Sequence, residues 1–189
     1  MRLGVFVGSF NPVHEGHMHV VHYLIDKGIL DKVLIIPTLP YWDKNNLASI
    51  EDRVNMLRFY ENENVIIDTV HNVHPYTYQV MRSLEQDYPN DELLLIIGAD
   101  NIIQFDKWME YKELLKRRII VVNRNNIDIS KYIEKYEEKD NFIVLQDFDF
   151  INISSTNIKE GDGLNNLKPE VYQYIKEHNL YKDDKKNSL

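Results

Sequence analysis

The sequence predicts an α/β protein: a doubly wound, mostly parallel sheet with helices on both faces. Three observations carry this reading. Six short apolar runs, at 3–7, 32–36, 65–67, 93–97, 119–122 and 142–145, lack the polar alternation of a half-exposed strand, as strands buried on both faces should. Several of the segments between them switch to helical spacing of their apolar residues. Strands joined through helices run parallel, with right-handed crossovers.

The elements follow in order. After the strand at 3–7, Met18, Val21, Leu24 and Ile25 recur at helical spacing from about Glu15, and Gly28 is placed to end that helix. Pro37 closes the strand at 32–36, and 38–46 reads as a loop with an aromatic pair and one lysine. Ser49 is set to cap a helix whose face is Ile50, Val54 and Leu57. Past the strand at 65–67, a loop at 71–75 leads into a helix over about 76–88 with Val80, Met81 and Leu84 buried. The run 93–97 is the most apolar and is expected at the sheet centre. Helices are expected over about 109–116 and 129–139, a short one after the hydroxyl run at 154–156, and a last one opened by Pro169. One domain is expected over 1–181, with a polar, disordered tail at 182–189.

Composition excludes several classes of function. The 189-residue chain has no cysteine, which removes disulfides, thiolate nucleophiles and cysteine-held metals. A net charge of -8 argues against wrapping a nucleic-acid backbone, yet leaves room for a small anionic ligand held by a local cluster. No apolar run is long enough to span a membrane and no leader is evident, so a cytosolic protein without a membrane partner is expected.

The most informative stretch is Gly8-Ser9-Phe10-Asn11-Pro12-Val13-His14-Glu15-Gly16-His17, a turn between the first strand and first helix. Gly8 and Gly16 are where the chain is expected to turn sharply or admit a ligand. A helix starting near Glu15 would present free N–H groups and its positive dipole end to the turn, which makes an anion site. Four histidines fall here, His14, His17, His19 and His22, so zinc must be weighed. At roughly 100° per residue, His14 and His17 share one side of a helix and the other two fall elsewhere. The zinc-protease pattern also fails, because Met18 stands where its second histidine belongs. No protein-held metal is assigned. A histidine-rich cap remains an alternative to the phosphate site. Ser154, Ser155 and Thr156 either cap a helix or present hydroxyls to outer phosphates, with Lys159 one turn on.

The same stretch resembles the G-[ST]-F-[DN]-P-x-H-x-G-H signature of the adenylyltransferase branch of the nucleotidyltransferase superfamily. Residues 153–159 resemble its partner motif, I-S-S-T-x-[IL]-R. Lys44, Arg53 with Met56-Leu57, Pro75-Tyr76-Thr77, and Ile97-Gly98-Ala99-Asp100-Asn101 followed by Trp108 match in the right order. Over essentially the whole chain the set resembles the bacterial nicotinate-nucleotide adenylyltransferases. The resemblance implies a Rossmann-like sheet and the conversion of ATP and nicotinate mononucleotide to deamido-NAD and pyrophosphate, with Mg2+ carried mainly on the ATP phosphates.

It also implies roles for individual residues. Gly8, Ser9, Phe10, His14 and His17 would hold the ATP phosphates, with the two histidines nearest the reacting one; Ser155, Thr156 and Lys159 would hold the outer phosphates and leaving group. His14, His17 and Lys159 would be catalytic. Asp100 would contact the ribose, and Ile97 and Gly98 would line that pocket. Lys44 would bind the mononucleotide phosphate, Tyr76 and Thr77 the nicotinate carboxylate, and Trp108 would stack on the pyridine. Three places depart from the family pattern: Tyr41-Trp42-Asp43-Lys44 in place of P-P-H-K, 71–74 in place of an acidic-and-arginine segment, and Lys159 in place of arginine, which keeps the charge and loses the bidentate fork. Alternatives are a related enzyme with another phosphorylated acceptor, such as nicotinamide mononucleotide or phosphopantetheine, and a nucleotide-binding regulatory domain without turnover.

Overall fold

The computed structural model describes residues 1–40, 46–124, 126–145 and 153–182. The runs read as strands all form: β1 (Arg2–Gly8), β2 (Lys32–Pro37), β3 (Val65–Ile67), β4 (Glu92–Gly98), β5 (Ile119–Val122) and β6 (Phe142–Leu145). They make a six-stranded sheet in the order β3-β2-β1-β4-β5-β6, and every neighbouring pair is parallel. This is a Rossmann-like order. The chain winds from β1 to one edge, then restarts with β4 beside β1 and winds to the other, so a crevice opens between the exits of β1 and β4.

The helices are α1 (Glu15–Asp26), α2 (Ile50–Arg58), α3 (Thr77–Asp87), α4 (Ala99–Ile103), α5 (Tyr111–Leu114), α6 (Ser130–Ile133), α7 (Ser155–Lys159) and α8 (Pro169–Glu177). Two apolar cores form because successive strand residues point to opposite faces. Val33 and Ile35 pack with Val21 and Leu24 of α1 on one face. Leu34 and Ile36 pack with Val80, Met81 and Leu84 of α3 on the other. Local chemistry sets the ends of the helices: Gly28, at φ 69°, follows α1, and Ser49 Oγ accepts the Asp52 N–H at 3.0 Å.

Three expectations need correction. The helix expected over 109–116 shrinks to Tyr111–Leu114, since Glu110 takes the left-handed region at φ 53° just before it. The helix expected over 129–139 stops at Ile133, and Tyr136 turns instead into an aromatic cluster with Phe105 and Phe142, 6.4 and 6.1 Å between centroids. The unforeseen α4 springs directly from β4, with Gly98 as its N-cap. Residues 183–189 of the expected tail lie outside the described residues. Among the described residues no helix is long and apolar enough to cross a membrane.

Candidate active site

The chain leaves β1 through a strained turn. The strain is at Phe10, whose φ of 47° lies in a region that bulky residues rarely enter; the Asn11–Pro12 peptide that follows is cis. The sharp turn expected of Gly8 and Gly16 is therefore made at Phe10. Gly16 serves close approach instead: a Cβ there would lie 2.8 Å from the His14 ring. The Phe10 ring packs edge-on against Phe6 and His17, at 5.2 and 5.0 Å.

The two histidines of the turn form one unit. Their rings stack at 3.7 Å, and the His14 backbone N–H donates to His17 Nδ1 at 3.1 Å. That hydrogen bond assigns the tautomer: Nδ1 accepts, so the proton sits on Nε2 and leaves an N–H donor. Both rings are held neutral. Burial, helped by the Arg124 charge, lowers the pKa of His14 to about 4. Burial, His14 and Arg124 together push His17 well below the ordinary histidine value. His14 is buried, and its Nδ1 has no hydrogen-bond partner among the described residues.

His17 faces a cavity of about 490 Å³ in the crevice between β1 and β4. One wall is Gly8, Ser9 and Phe10, and the opposite wall is Ile97, Gly98 and Asp100. A Cβ on Gly98 would meet Asp100 Oδ1 at 2.6 Å, so only glycine lets that carboxylate fold back over the strand end. Ser155 lines the cavity too. Its hydroxyl donates to the Pro12 carbonyl at 3.0 Å, tying the start of α7 to the first turn. The hydroxyl run thus divides its labour: Ser154 caps α7, accepting the Asn157 N–H at 3.1 Å, while Ser155 reaches the site.

Other predicted residues fall elsewhere. His14 lies behind His17 rather than among the wall residues, Thr156 is exposed, and half-buried Lys159 borders a separate, mostly apolar cavity of about 130 Å³ with Leu180 and Tyr181. Lys44 lies outside the described residues. Tyr76, the N-cap of α3, and Thr77, its first residue, line a second cavity of about 360 Å³ with Lys107 and Trp108. Trp108 borders both cavities, so the two meet at one indole.

The sequence reading missed two cations. Arg124, at the exit of β5, lines the first cavity, and Lys107 lines the second. The available signal was a basic residue next to a strand end or beside the tryptophan. Among the described residues no three His, Asp or Glu side chains could hold a metal. Among the described residues, the one carboxylate in the wall of the first cavity is Asp100. That donor set fits a magnesium ion arriving on a triphosphate, since magnesium takes phosphate oxygens and waters with few carboxylates.

Comparison with known proteins shows the family and the fold. The family model described as cytidylyltransferase-like matches residues 5–161. A probable nicotinate-nucleotide adenylyltransferase of Carboxydothermus hydrogenoformans is 32% identical, over 96% of this chain and 98% of its own. One from Methylacidiphilum infernorum is 31% identical over 95% and 92%. Among solved structures, the nicotinic acid mononucleotide adenylyltransferase of Plasmodium falciparum complexed with NaAD shares the fold, with TM-score 0.78 at 22% identity, over 95% of this chain and 97% of that one.

Proposed function

Since the chain belongs to the cytidylyltransferase-like family and, within it, aligns nearly end to end with nicotinate-nucleotide adenylyltransferases, we propose that it transfers AMP from ATP to nicotinate mononucleotide, giving deamido-NAD and pyrophosphate in NAD synthesis. The observation that carries the reading is the pair of cavities sharing Trp108, one walled by the β1 turn with its neutral His17, the other opening at the start of α3.

In this reading ATP lies in the first cavity. Asp100 accepts from the ribose hydroxyls, Ile97 and Gly98 flank the adenosine, and the α-phosphate sits by Ser9, Phe10 and His17. A phosphate oxygen of the mononucleotide attacks the α-phosphorus, and the bond from that phosphorus to the bridging oxygen breaks. Negative charge builds on the oxygens around phosphorus, and a fixed, neutral N–H donor such as His17 Nε2–H stabilises it without reorganising. His14 holds that ring through stacking and its backbone N–H. Ser155 and Arg124, both in the wall of that cavity, take the outer phosphates and the departing pyrophosphate, while Thr156 and Lys159 stand outside that wall. Magnesium carried on the triphosphate would neutralise part of its charge, with Asp100 the carboxylate beside it in the cavity wall. Lys44 holds the acceptor phosphate; Tyr76 and Thr77 face the nicotinate carboxylate at the positive end of α3; Trp108 stacks on the pyridine. ATP as donor suits the cytosolic location expected from the sequence.

The test is product identification: purified protein with Mg-ATP and either nicotinate or nicotinamide mononucleotide, followed for pyrophosphate and dinucleotide. Pyrophosphate with the nicotinate acceptor, in excess over the nicotinamide one, is expected. Release from neither acceptor defeats the reading.

A further inference from the structure

One charged side chain near the site is fully buried, at 0% exposure, and plays no part in the roles assigned above. This is Arg53 on α2. Among the described residues its guanidinium donates only to backbone carbonyls: Nη1 to Ser9 O at 2.9 Å and to Thr38 O at 2.8 Å, and Nε to Ala48 O at 3.0 Å. No carboxylate pairs with it among the described residues, and Nη2 is buried without a partner there. A cation buried in this way is costly unless its hydrogen bonds are needed for something else.

The Ser9 contact shows what that is. The Ser9–Phe10 peptide is trans, the cis bond lying further on at Asn11–Pro12. In a planar trans peptide the C=O and N–H point in opposite directions. With the Ser9 carbonyl drawn onto Arg53, the Phe10 N–H of the same peptide points away from the guanidinium; Ser9 and Phe10 line the first cavity, and Arg53 is not among its wall residues. The anchored carbonyl adjoins Phe10, whose φ of 47° lies in the left-handed region that bulky residues rarely enter. The guanidinium also polarises the peptide, so the N–H on its far end becomes a better donor to an anion.

We infer that Arg53 is a positioning residue: it locks the Ser9–Phe10 peptide so that the Phe10 N–H faces the cavity and donates to a phosphate oxygen of the nucleotide. The inference rests on the first cavity being the ATP-phosphate site.

Binding of ATP and of adenosine by the intact chain separates this role from a purely structural one. Arg53→Lys keeps the charge and loses the fork that reaches three carbonyls, and calorimetry on it should show ATP affinity down about 10- to 100-fold, the range for a hydrogen bond to a charged group. Adenosine affinity should stay within about 2-fold, because no phosphate is involved. Leu30→Ala, which removes a buried side chain at the opposite end of the sheet, controls for lost stability and should leave the ATP-to-adenosine ratio unchanged. Equal loss for both ligands in Arg53→Lys, or loss for neither, overturns the inference. If that variant does not fold, the wild-type Phe10 amide decides: its NMR resonance should move and its hydrogen exchange slow on adding ATP but not adenosine, and an unresponsive amide overturns the inference. A wild type that binds ATP no better than adenosine would instead defeat the site assignment itself.

Discussion

Two sets of imidazoles, His14 and His71 buried and His17 half-buried, lie past the same end of the sheet and are held in opposite protonation states. At the exit of β1, His14 and His17 stack on one another beside Arg124 and are neutral. Beyond the exit of β3, His71 is pinched between two carboxylates: Nδ1 meets Asp68 Oδ2 and Nε2 meets Asp87 Oδ2, each at 2.6 Å. Two acceptors facing both ring nitrogens require both to carry protons. Burial opposes that charge, but hydrogen bonds to Asp87 and Asp68 outweigh it and raise the pKa. What surrounds a histidine, not its depth, decides whether it is a fixed dipole or a cation. The neutral pair suits a site that receives phosphates, where a pre-set N–H is wanted. The cationic one ties the connection between β3 and α3 to the last turn of α3.

The largest expected effect is kinetic. His17→Ala removes the donor aimed at the cavity and should lower kcat by about 100- to 1000-fold, the range for deleting one preorganised oxyanion donor. ATP affinity should move only a few-fold, because the contact strengthens as charge develops. Steady-state kinetics with a parallel ATP titration check this. A large loss of affinity at unchanged kcat would mean that His17 is a ground-state clamp. His71→Gln, by contrast, should leave kcat within a few-fold.

The second effect is on stability and has a sign for each set. A histidine whose pKa is depressed on folding favours the folded state above its unfolded value of about 6.5 and loses that advantage as the pH falls towards its folded value. His14, at about 4, therefore makes the protein less stable as the pH drops from 6.5 to 4. His71, raised on folding, acts in reverse: its contribution is complete below about pH 6.5 and fades as the pH climbs through its folded value. Thermal melts should show His71→Gln about 3–10 °C below the wild type at pH 6, the shift expected for losing a hydrogen-bonded charge of about 1–3 kcal/mol. The gap should narrow at alkaline pH. His14→Asn should flatten the acid limb. Melting curves that stay parallel at every pH would contradict both assignments.

How much of this was legible depends on how local each feature is. The strands and their parallel direction were readable because apolar runs and the helices joining them are continuous in sequence; the order across the sheet was not. His14 and His17 were readable as a pair for the same reason, being three residues apart across a helix start. Arg124 and Lys107 were not, because the cavity walls assemble from β1, β4, β5 and the segment before α5, and no local pattern records which basic residue faces inward. Arg53 matched a motif, yet its partners at Ser9, Thr38 and Ala48 are set by tertiary packing. Asp68 is three residues from His71, but Asp87 arrives from the far end of α3. The short α5 and α6 went wrong because the left-handed Glu110 and the burial of Tyr136 override local propensity.

The smallest expected effect separates the two carboxylates that hold His71. Asp68 is buried, and its other oxygen accepts the backbone N–H groups of Val70 and His71 at 2.9 and 2.8 Å, so it organises the turn as well as the charge. Asp87 is 61% exposed, where water and salt screen the pair. Asp87→Asn should cost less than about 1 kcal/mol, a shift of about 2–4 °C at most, and the difference from the wild type should shrink further in high salt. Asp68→Asn should cost more and respond little to salt, since its loss leaves a buried cation with one screened partner and loosens two backbone bonds. Salt-dependent melts of the two variants make the comparison directly. If Asp87→Asn proves the more damaging, the tie from His71 to the end of α3 carries more of the network than the turn does, and the cation is held by its far partner.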